Sequence, residues 1–351
     1  MKRGLLIAAL GLGLCALPAI PAAAQDDDTT VEQMEARFDA PPEGWQVPRT
    51  AWGDPDLRGM WPLDYLSATP RVRPGNFGTR AFMTDEEYNS AFARAEADME
   101  RYAEEEQANM MAMGHWNERQ LPLRQTSLIV EPANGQYPPL TELGRQNAAN
   151  ERTSWNTYVF EGMNDFGIMD RCLTRGLPGA MLPAVYNMGI RVTQAPGLVA
   201  ITIEMIHETR LVYLDGREAP PPDVQFDLGY SVGHWEGDTL VIETTNFRPG
   251  RSAGPAPNSD QMKITERLTM MNPDQVHYEA WIEDPLVMEG TYKVDFPWER
   301  DSDYEIFEYA CHEGNVQIRG YITATSPRFA EERAATWRAR GEEPESGVPV
   351  R

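Results

Sequence analysis

Cysteine and histidine are scarce in this chain, at three and five among 351 residues. It contains no Cys-x-x-Cys pair, no haem-attachment word and no His-Glu-x-x-His helix. Thioredoxin-like redox chemistry and zincin-type hydrolysis therefore lack their ligands. A Walker loop is also missing, and no dinucleotide fingerprint joins a strand to a helix, so no cofactor is expected. Positive charge is in short supply: 31 Lys and Arg stand against 54 Asp and Glu, a net charge of −23. That balance argues against nucleic acid and anionic membrane surfaces as partners. Past the N-terminus, no apolar run is long enough to cross a bilayer.

The first 24 residues read as a secretory signal. Lys2 and Arg3 supply the positive end, Leu5–Leu17 the short apolar core, and Ala22–Ala24 a small-residue cleavage site before Gln25. The expected location is therefore periplasmic or secreted. Cleavage removes two basic residues and no acidic ones, which leaves 29 against 54 and a charge of −25. It also removes Cys15. Cys172 and Cys311 remain, and in an oxidising compartment an even pair is expected to form one disulfide.

Residues 25–83 read as an extended arm, disordered over the polar stretch Gln25–Pro48. Trp52 and Trp61 flank a turn within it, suited to docking on a larger body. Residues 84–154 form a helical segment. Thr84 and Glu87 spell a capping box, and Tyr88, Phe92, Ala95, Met99 and Tyr102 make one apolar stripe, so a helix is expected over Thr84–Met113. Met110, Met111 and Met113 read as adaptable packing. A second, short helix is expected within Leu140–Arg152. Residues 327–351 read as a C-terminal helix and tail.

Residues 155–326 carry the main fold signal. Short β-type runs alternate with tight turns: Asn187–Gln194, Leu198–His207, Arg210–Leu214, Tyr230–Trp235, Thr239–Phe247, Lys263–Met271, Gln275–Glu283, Thr291–Trp298 and Tyr304–Cys311. Turn words such as Ala195-Pro196-Gly197, Glu236-Gly237-Asp238 and Asn272-Pro273-Asp274 separate them. Closely spaced antiparallel strands of this number hide their edges best by closing. The expected fold is mainly β, a lipocalin-like up-and-down antiparallel barrel with an N-terminal arm and one long helix. Asp170–Pro183, rich in Gly, Arg and Pro, is expected to cross the barrel mouth.

Several long words in this half of the chain resemble a large family of exported bacterial proteins. They are Asp170–Gly179 (DRCLTRGLPG), Glu204–Arg210 (EMIHETR), His234–Phe247 (HWEGDTLVIETTNF) and Glu308–Asn315 (EYACHEGN). The resemblance supports export and implies no reaction. Arg is frequent at position 234 in that family, which sets His234 aside as a chemical group.

Candidate site residues come from period-two alternation, because a polar residue on an inward apolar face needs a reason. His207 continues the face of Val199, Ile201, Ile203 and Met205. Glu266 shares a face with Ile264, Leu268 and Met270, and Tyr278 with Val276, Ala280 and Ile282. Glu308 shares a face with Ile306 and Ala310, and His312 follows. His207, Glu266, Tyr278 and Glu308 are therefore the candidate catalytic groups. Arg175, Glu204, Asn246 and His312 are the candidate substrate-binding groups.

A carboxyl in an apolar lumen beside an imidazole suits acid–base chemistry on an apolar or aromatic substrate, of lyase, isomerase or cyclase type. The other reading of each residue is structural, a buried Glu paired with Arg171, Arg175 or Arg210. His207, His312 and Glu308 could also form a two-His, one-carboxylate set, although no pair has ligand spacing, and no metal is expected. The functional expectation is an exported small-molecule-binding barrel, either an acid–base enzyme or a non-catalytic carrier. An envelope assembly protein is the third class.

Overall fold

The computed structural model describes residues 37–110, 120–154, 156, 159–252, 254–313 and 315–340. The signal segment with Cys15, the methionines Met111 and Met113, and the tail beyond Arg340 lie outside them. The chain is mainly β, built on one curled half-barrel of ten strands. In chain order these are β1 (Gly59–Met60), β2 (Ile129–Glu131), β3 (Ile190–Ala195), β4 (Leu198–Ile203) and β5 (Glu208–Tyr213). Then come β6 (Tyr230–Glu236), β7 (Thr239–Thr245), β8 (Lys263–Asn272), β9 (Gln275–Glu283) and β10 (Tyr292–Glu299). The spatial order is β1-β3-β4-β5-β6-β7-β8-β9-β10-β2.

Strands β3 to β10 run consecutively, as a meander should, and the turn words fall between them. Gly237-Asp238 joins β6 to β7 and Pro273-Asp274 joins β8 to β9, each a two-residue hairpin loop. All neighbours are antiparallel except β5 and β6, which pair in parallel through Val212↔Ser231 and Tyr213↔Val232. No ladder among the described residues joins β1 to β2, so the sheet is an open half-barrel there. Its edges are two and three residues long, too short to recruit another chain's strand.

Three sequence expectations change. Tyr304–Cys311 is not a strand but an irregular loop. β10 is flanked by β9 on one side and β2 on the other, so no hydrogen-bonding edge remains for it there. The run Leu198–His207 stops at Ile203, because Ile206 (φ 64°) and His207 (φ 46°) take left-handed conformations in the tight β4–β5 connection. Finally, the arm is docked from Arg37 onward. Arg37 reaches the buried Asp295 of β10 and the Gln125 amide oxygen, Asn272 Nδ2 donates to Asp39 O at 3.0 Å, and Phe38 packs 5.0 Å from the His277 ring. Its apolar members Leu57, Trp61, Leu63 and Leu66 are buried within the main core.

The helices are peripheral. α1 (Asp85–Gln107) begins with the capping box read from Thr84 and Glu87, and none of its residues is fully buried. α2 (Glu142–Asn150) is capped by Thr141, whose hydroxyl accepts from Gly144 N at 3.0 Å. α3 (Gln317–Thr325) and α4 (Ala330–Arg340) close the described chain.

The concave face is packed solid rather than hollow. Val199, Ile201, Ile203, Leu240, Ile242, Ile264, Leu268, Val276, Phe296 and Trp298 all point into one cluster. Leu177, Ala180, Met181 and Leu182 from the crossing segment close over it. Tyr278 stacks on Trp298 with ring centroids 4.9 Å apart. Burying such side chains is the main source of stability in a sheet with one wet face, at roughly 1.5–3 kcal/mol each.

Candidate ligand-binding site

Two polar clusters interrupt this core, and they differ in what their groups touch. The first is sealed. Glu266 on β8 receives both terminal nitrogens of Arg210 on β5, one at 2.9 Å on Oε1, while Tyr278 Oη donates to the same oxygen at 2.9 Å. Arg210 Nε donates to Ser231 Oγ at 2.9 Å and Nη2 to Thr244 Oγ1 at 2.6 Å. Both charged side chains are 1% exposed. Burial pushes the Tyr278 hydroxyl well above its ordinary pKa, and the Glu266 charge adds to that. Burial lowers the Arg210 pKa, but the Glu266 carboxylate more than restores it and the net shift is upward. With every strong donor and acceptor engaged, the cluster has nothing left for a substrate.

Ser231 belongs to this cluster, and it also sits in a Gly-x-Ser-x-Gly word at Gly229–Gly233. A nucleophile elbow needs a strand-to-helix turn. Here Ser231 lies on β6, 2% exposed, paired with Val212 and Thr244, so the word carries no nucleophile.

The second cluster opens to solvent at the end of the half-barrel where β4 turns into β5. Glu204, directly after β4, is 1% exposed. Its Oε1 accepts from Asn187 Nδ2 at 2.9 Å and Phe307 N at 3.3 Å, and its Oε2 from Tyr304 Oη at 2.7 Å and Gly189 N at 3.3 Å. All four donors are neutral. Gly189 is required here, since a Cβ would lie 2.5 Å from the Tyr304 ring and 2.6 Å from the Glu204 carboxylate. The same turn is gripped from its other side by Asp64, whose Oδ1 accepts from Met188 N at 2.6 Å.

Tyr304 and Asp64 line an open pocket of about 380 Å³ with Pro62, Tyr65, Leu121, Glu299, Arg300 and Asp301. Tyr65 Oη donates to Pro297 O at 3.2 Å, and burial, helped by Glu299, holds its pKa well above normal. The Arg300 guanidinium lies 4.3 Å over the Trp61 ring and donates to Pro273 O and Arg58 O. Burial lowers its pKa.

Arg175, on the segment Asp170–Pro183, packs against Met205, the residue that follows Glu204. Gly176 beside it, at φ 68°, has no room for a side chain, because a Cβ would sit 1.8 Å from Arg251 O. Arg175 N donates to Glu208 Oε2 at 3.0 Å, Nε to Gly179 O at 2.9 Å and Nη1 to Met205 Sδ at 2.6 Å. Burial lowers its pKa to about 10, with a further contribution from the neighbouring charge of Arg71. Tyr186 and Tyr309 stand beside it. They are hydrogen-bonded to each other, and burial first, then that bond, raises the Tyr309 pKa. The disulfide between Cys172 and Cys311 ties the crossing segment to the loop that carries Tyr309.

The structure thus brings together Glu266 and Tyr278 in one sealed cluster, sets Glu204 among neutral donors in the open one, and holds Arg175 separately against Glu208, Gly179 and Met205. The remaining candidates fall elsewhere. His207 is exposed, not inward, and its Nδ1 meets Tyr309 O at 3.0 Å, so it latches the 304–312 loop from outside. Glu308 and His312 are exposed on that loop, which is not a strand. The set of His207, His312 and Glu308 is therefore a surface set, with no shared inward face. Asn246 is buried, and its Nδ2 donates to Pro220, Pro221 and Val224 carbonyls, holding the Pro-rich loop.

A different trio, His277, Glu279 and Asp295, gathers within metal-ligand reach. Its carboxylates already hold Lys293 and Arg37, which supply the positive charge that an ion would bring. Asp64, Arg71, Asn187, Tyr186, Tyr304 and Tyr309 were missed by sequence reasoning. They sit in loops, turns and, for Asp64, a short 3-10 helix, where no strand or α-helix periodicity marks an inward side.

No family model matches this chain, and neither a curated protein nor a solved structure matches it. The site's own chemistry has to carry the functional reading.

Proposed function

We propose that this is an exported small-molecule-binding protein whose ligand occupies the 380 Å³ pocket beside Tyr304, at the end of the half-barrel. The observation that carries this reading is a buried carboxylate, Glu204, placed directly behind a tyrosine hydroxyl on the wall of an open pocket. A pocket of this volume suits a drug-sized organic ligand, with Pro62, Leu121 and the two tyrosine rings as its apolar surface and Asp64, Glu299, Arg300 and Asp301 as its charged groups. The disulfide and the N-terminal segment favour export, and among the described residues no helix is long and apolar enough to cross a membrane. The lipocalin-like idea of a ligand inside the barrel shifts to its end, because core side chains fill the concave face.

The finer reading is cofactor-independent acid–base catalysis. The Tyr304 proton is given to Glu204, so a ligand hydroxyl that donates to Tyr304 Oη meets a carboxylate one bond further back. That relay moves protons in eliminations and isomerisations. A non-catalytic carrier uses the same groups for recognition alone.

The test is ligand capture. Protein purified from its native exported fraction is analysed by mass spectrometry for bound small molecules, beside Tyr304→Phe. The variant removes one hydrogen bond, costs about 1 kcal/mol of stability, and should lose the ligand. Equal ligand in both proteins would refute the pocket. Conversion of the captured molecule by the wild type, lost in Glu204→Gln, separates the enzyme from the carrier.

A further inference from the structure

The two hydroxyls on the lining of the 380 Å³ pocket have no proton to offer a ligand. Tyr304 Oη donates to the buried Glu204 carboxylate at 2.7 Å, and Tyr65 Oη donates to Pro297 O at 3.2 Å. A hydroxyl whose proton is committed elsewhere can only accept. Arg300, the one cation among the described lining residues, is engaged in the same manner. Its Nε donates to Pro273 O at 3.0 Å and its Nη1 to Arg58 O at 2.9 Å, while the guanidinium lies 4.3 Å over the Trp61 ring.

The carboxylates of Asp64, Glu299 and Asp301 line the same space against that single guanidinium, so the lining carries a formal charge of −2. Glu299 and Asp301 are exposed, and the backbone that carries them is fixed. Arg300 N donates to Asp274 O at 2.7 Å and Asp301 N to Met60 O at 3.2 Å. Asp301 Oδ1 accepts from Asp303 N at 2.9 Å, and a carboxylate, with about four lone-pair sites, keeps capacity for more. An acidic chain has acidic surface in many places, so the carboxylates alone select nothing. The hydroxyl directions do. They are set by Glu204 and Pro297, neither of which lines the pocket, and they make its polar wall accept where a mixed wall would also donate.

We infer that the Tyr304 pocket takes a protonated organic amine, whose N–H groups donate to Tyr304 Oη and to the carboxylates of Glu299 and Asp301. The inference rests on the proposed pocket and names its ligand class. An ammonium group brings up to three donors, no acceptor and a positive charge. The rings of Tyr65 and Tyr304 add to the attraction, since an aromatic face draws a cation. A carboxylate or phosphate would meet like charge, with Arg300 already engaged by two carbonyls. A neutral alcohol would bring one donor and no charge. At long range the chain's −23 charge draws cations toward the surface, and the pocket supplies the selection.

The experiment is calorimetric titration of the full exported protein at neutral pH and low salt with benzylamine, benzyl alcohol and benzoate, which share a ring and differ in charge. Benzylamine should bind about tenfold tighter than benzyl alcohol, and added salt should narrow that gap. Glu299→Gln combined with Asp301→Asn keeps the oxygens and removes two exposed charges. It should weaken benzylamine about tenfold and leave benzyl alcohol unchanged. Glu218→Gln combined with Asp260→Asn removes two exposed charges outside the pocket and should leave all three affinities unchanged. Tyr304→Phe deletes the acceptor and should weaken both benzylamine and benzyl alcohol. Benzylamine bound no tighter than benzoate overturns the inference, as does a benzylamine affinity insensitive to the Glu299 and Asp301 pair. Benzylamine and benzyl alcohol bound equally, and both lost in Tyr304→Phe, overturn the ammonium and keep the pocket. Benzylamine binding that needs Glu299 and Asp301 but not Tyr304 keeps the cation preference and overturns the ligand position at Tyr304.

Discussion

Replacing Glu266 by Gln tests whether the sealed cluster is structural. The substitution keeps the shape and deletes the charge that neutralises Arg210, whose side chain is 1% exposed. The guanidinium then faces an amide in a dry interior, and the amide NH₂ opposes one of its donors. Removing one partner of a buried ion pair costs about 3–5 kcal/mol. Unfolding entropy of about 2.1 cal/mol/K per residue gives about 0.6 kcal/mol/K for roughly 300 folded residues, so the thermal midpoint should fall by about 5–8 °C. Differential scanning calorimetry reads this directly. The double replacement Arg210→Met with Glu266→Leu removes both charges and should recover most of the loss. Tyr278→Phe deletes one donor to Glu266 and should cost nearer 1 kcal/mol. A midpoint within 2 °C of wild type for Glu266→Gln, together with loss of the captured ligand, would refute the structural reading and make this cluster the site.

Two further outcomes follow from the edges of the fold. Burial raises the Asp295 pKa, but the hydrogen bond with His277 and the charges of Arg37, His277 and Lys293 outweigh it and hold it well below the usual carboxylate range. The stability this provides is present above the ordinary pKa near 4 and is lost as pH falls through the depressed folded value. Chemical denaturation between about pH 5 and 2 should therefore show a shallower slope for Asp295→Asn than for wild type, and an unchanged slope would refute the assignment. The disulfide between Cys172 and Cys311 spans 139 residues. In the chain-entropy model it contributes about 5 kcal/mol, so reductant should lower the midpoint and expose two thiols that non-reduced intact mass does not show.

How far the sequence could be read depends on where each residue sits. On β8 and β9 the period is two, the turns are two residues long and one face is buried, so Glu266 and Tyr278 were visible as interruptions of an apolar face. The same logic failed at His207, because two left-handed residues end the period and turn it outward. It failed again at Tyr304–Cys311, where aromatic and apolar spacing imitates a strand while the adjoining sheet position is already taken by β2. Arg37 was hidden for a different reason. A polar arm looks disordered until the buried acid that receives it, Asp295, is placed 258 residues away. The open cluster was the least legible. Glu204 was kept only as an off-face residue and Arg175 only as a mouth residue. Tyr304, which bonds Glu204, and Asp64, which lines the pocket beside it, come from segments outside the strands, brought together by tertiary packing alone.

The parallel pair between β5 and β6 divides the sheet into two sewn halves. On one side lie β1, β3, β4 and β5, and on the other β6 through β10 with β2. The backbone stitch between the halves is two residue pairs long. The side chain of Arg210 starts in the first half and is bonded to Ser231, Thr244 and Glu266, on three successive strands of the second. The joint is therefore riveted from the inside by one guanidinium rather than laced along the ladder. Breaking that rivet should loosen the two halves as bodies, with amide exchange accelerating first along β5 and β6 and the rest of each meander holding. The Glu204 turn leads directly into β5 and Arg175 N is bonded to Glu208 of β5, so the proposed pocket would feel that loosening.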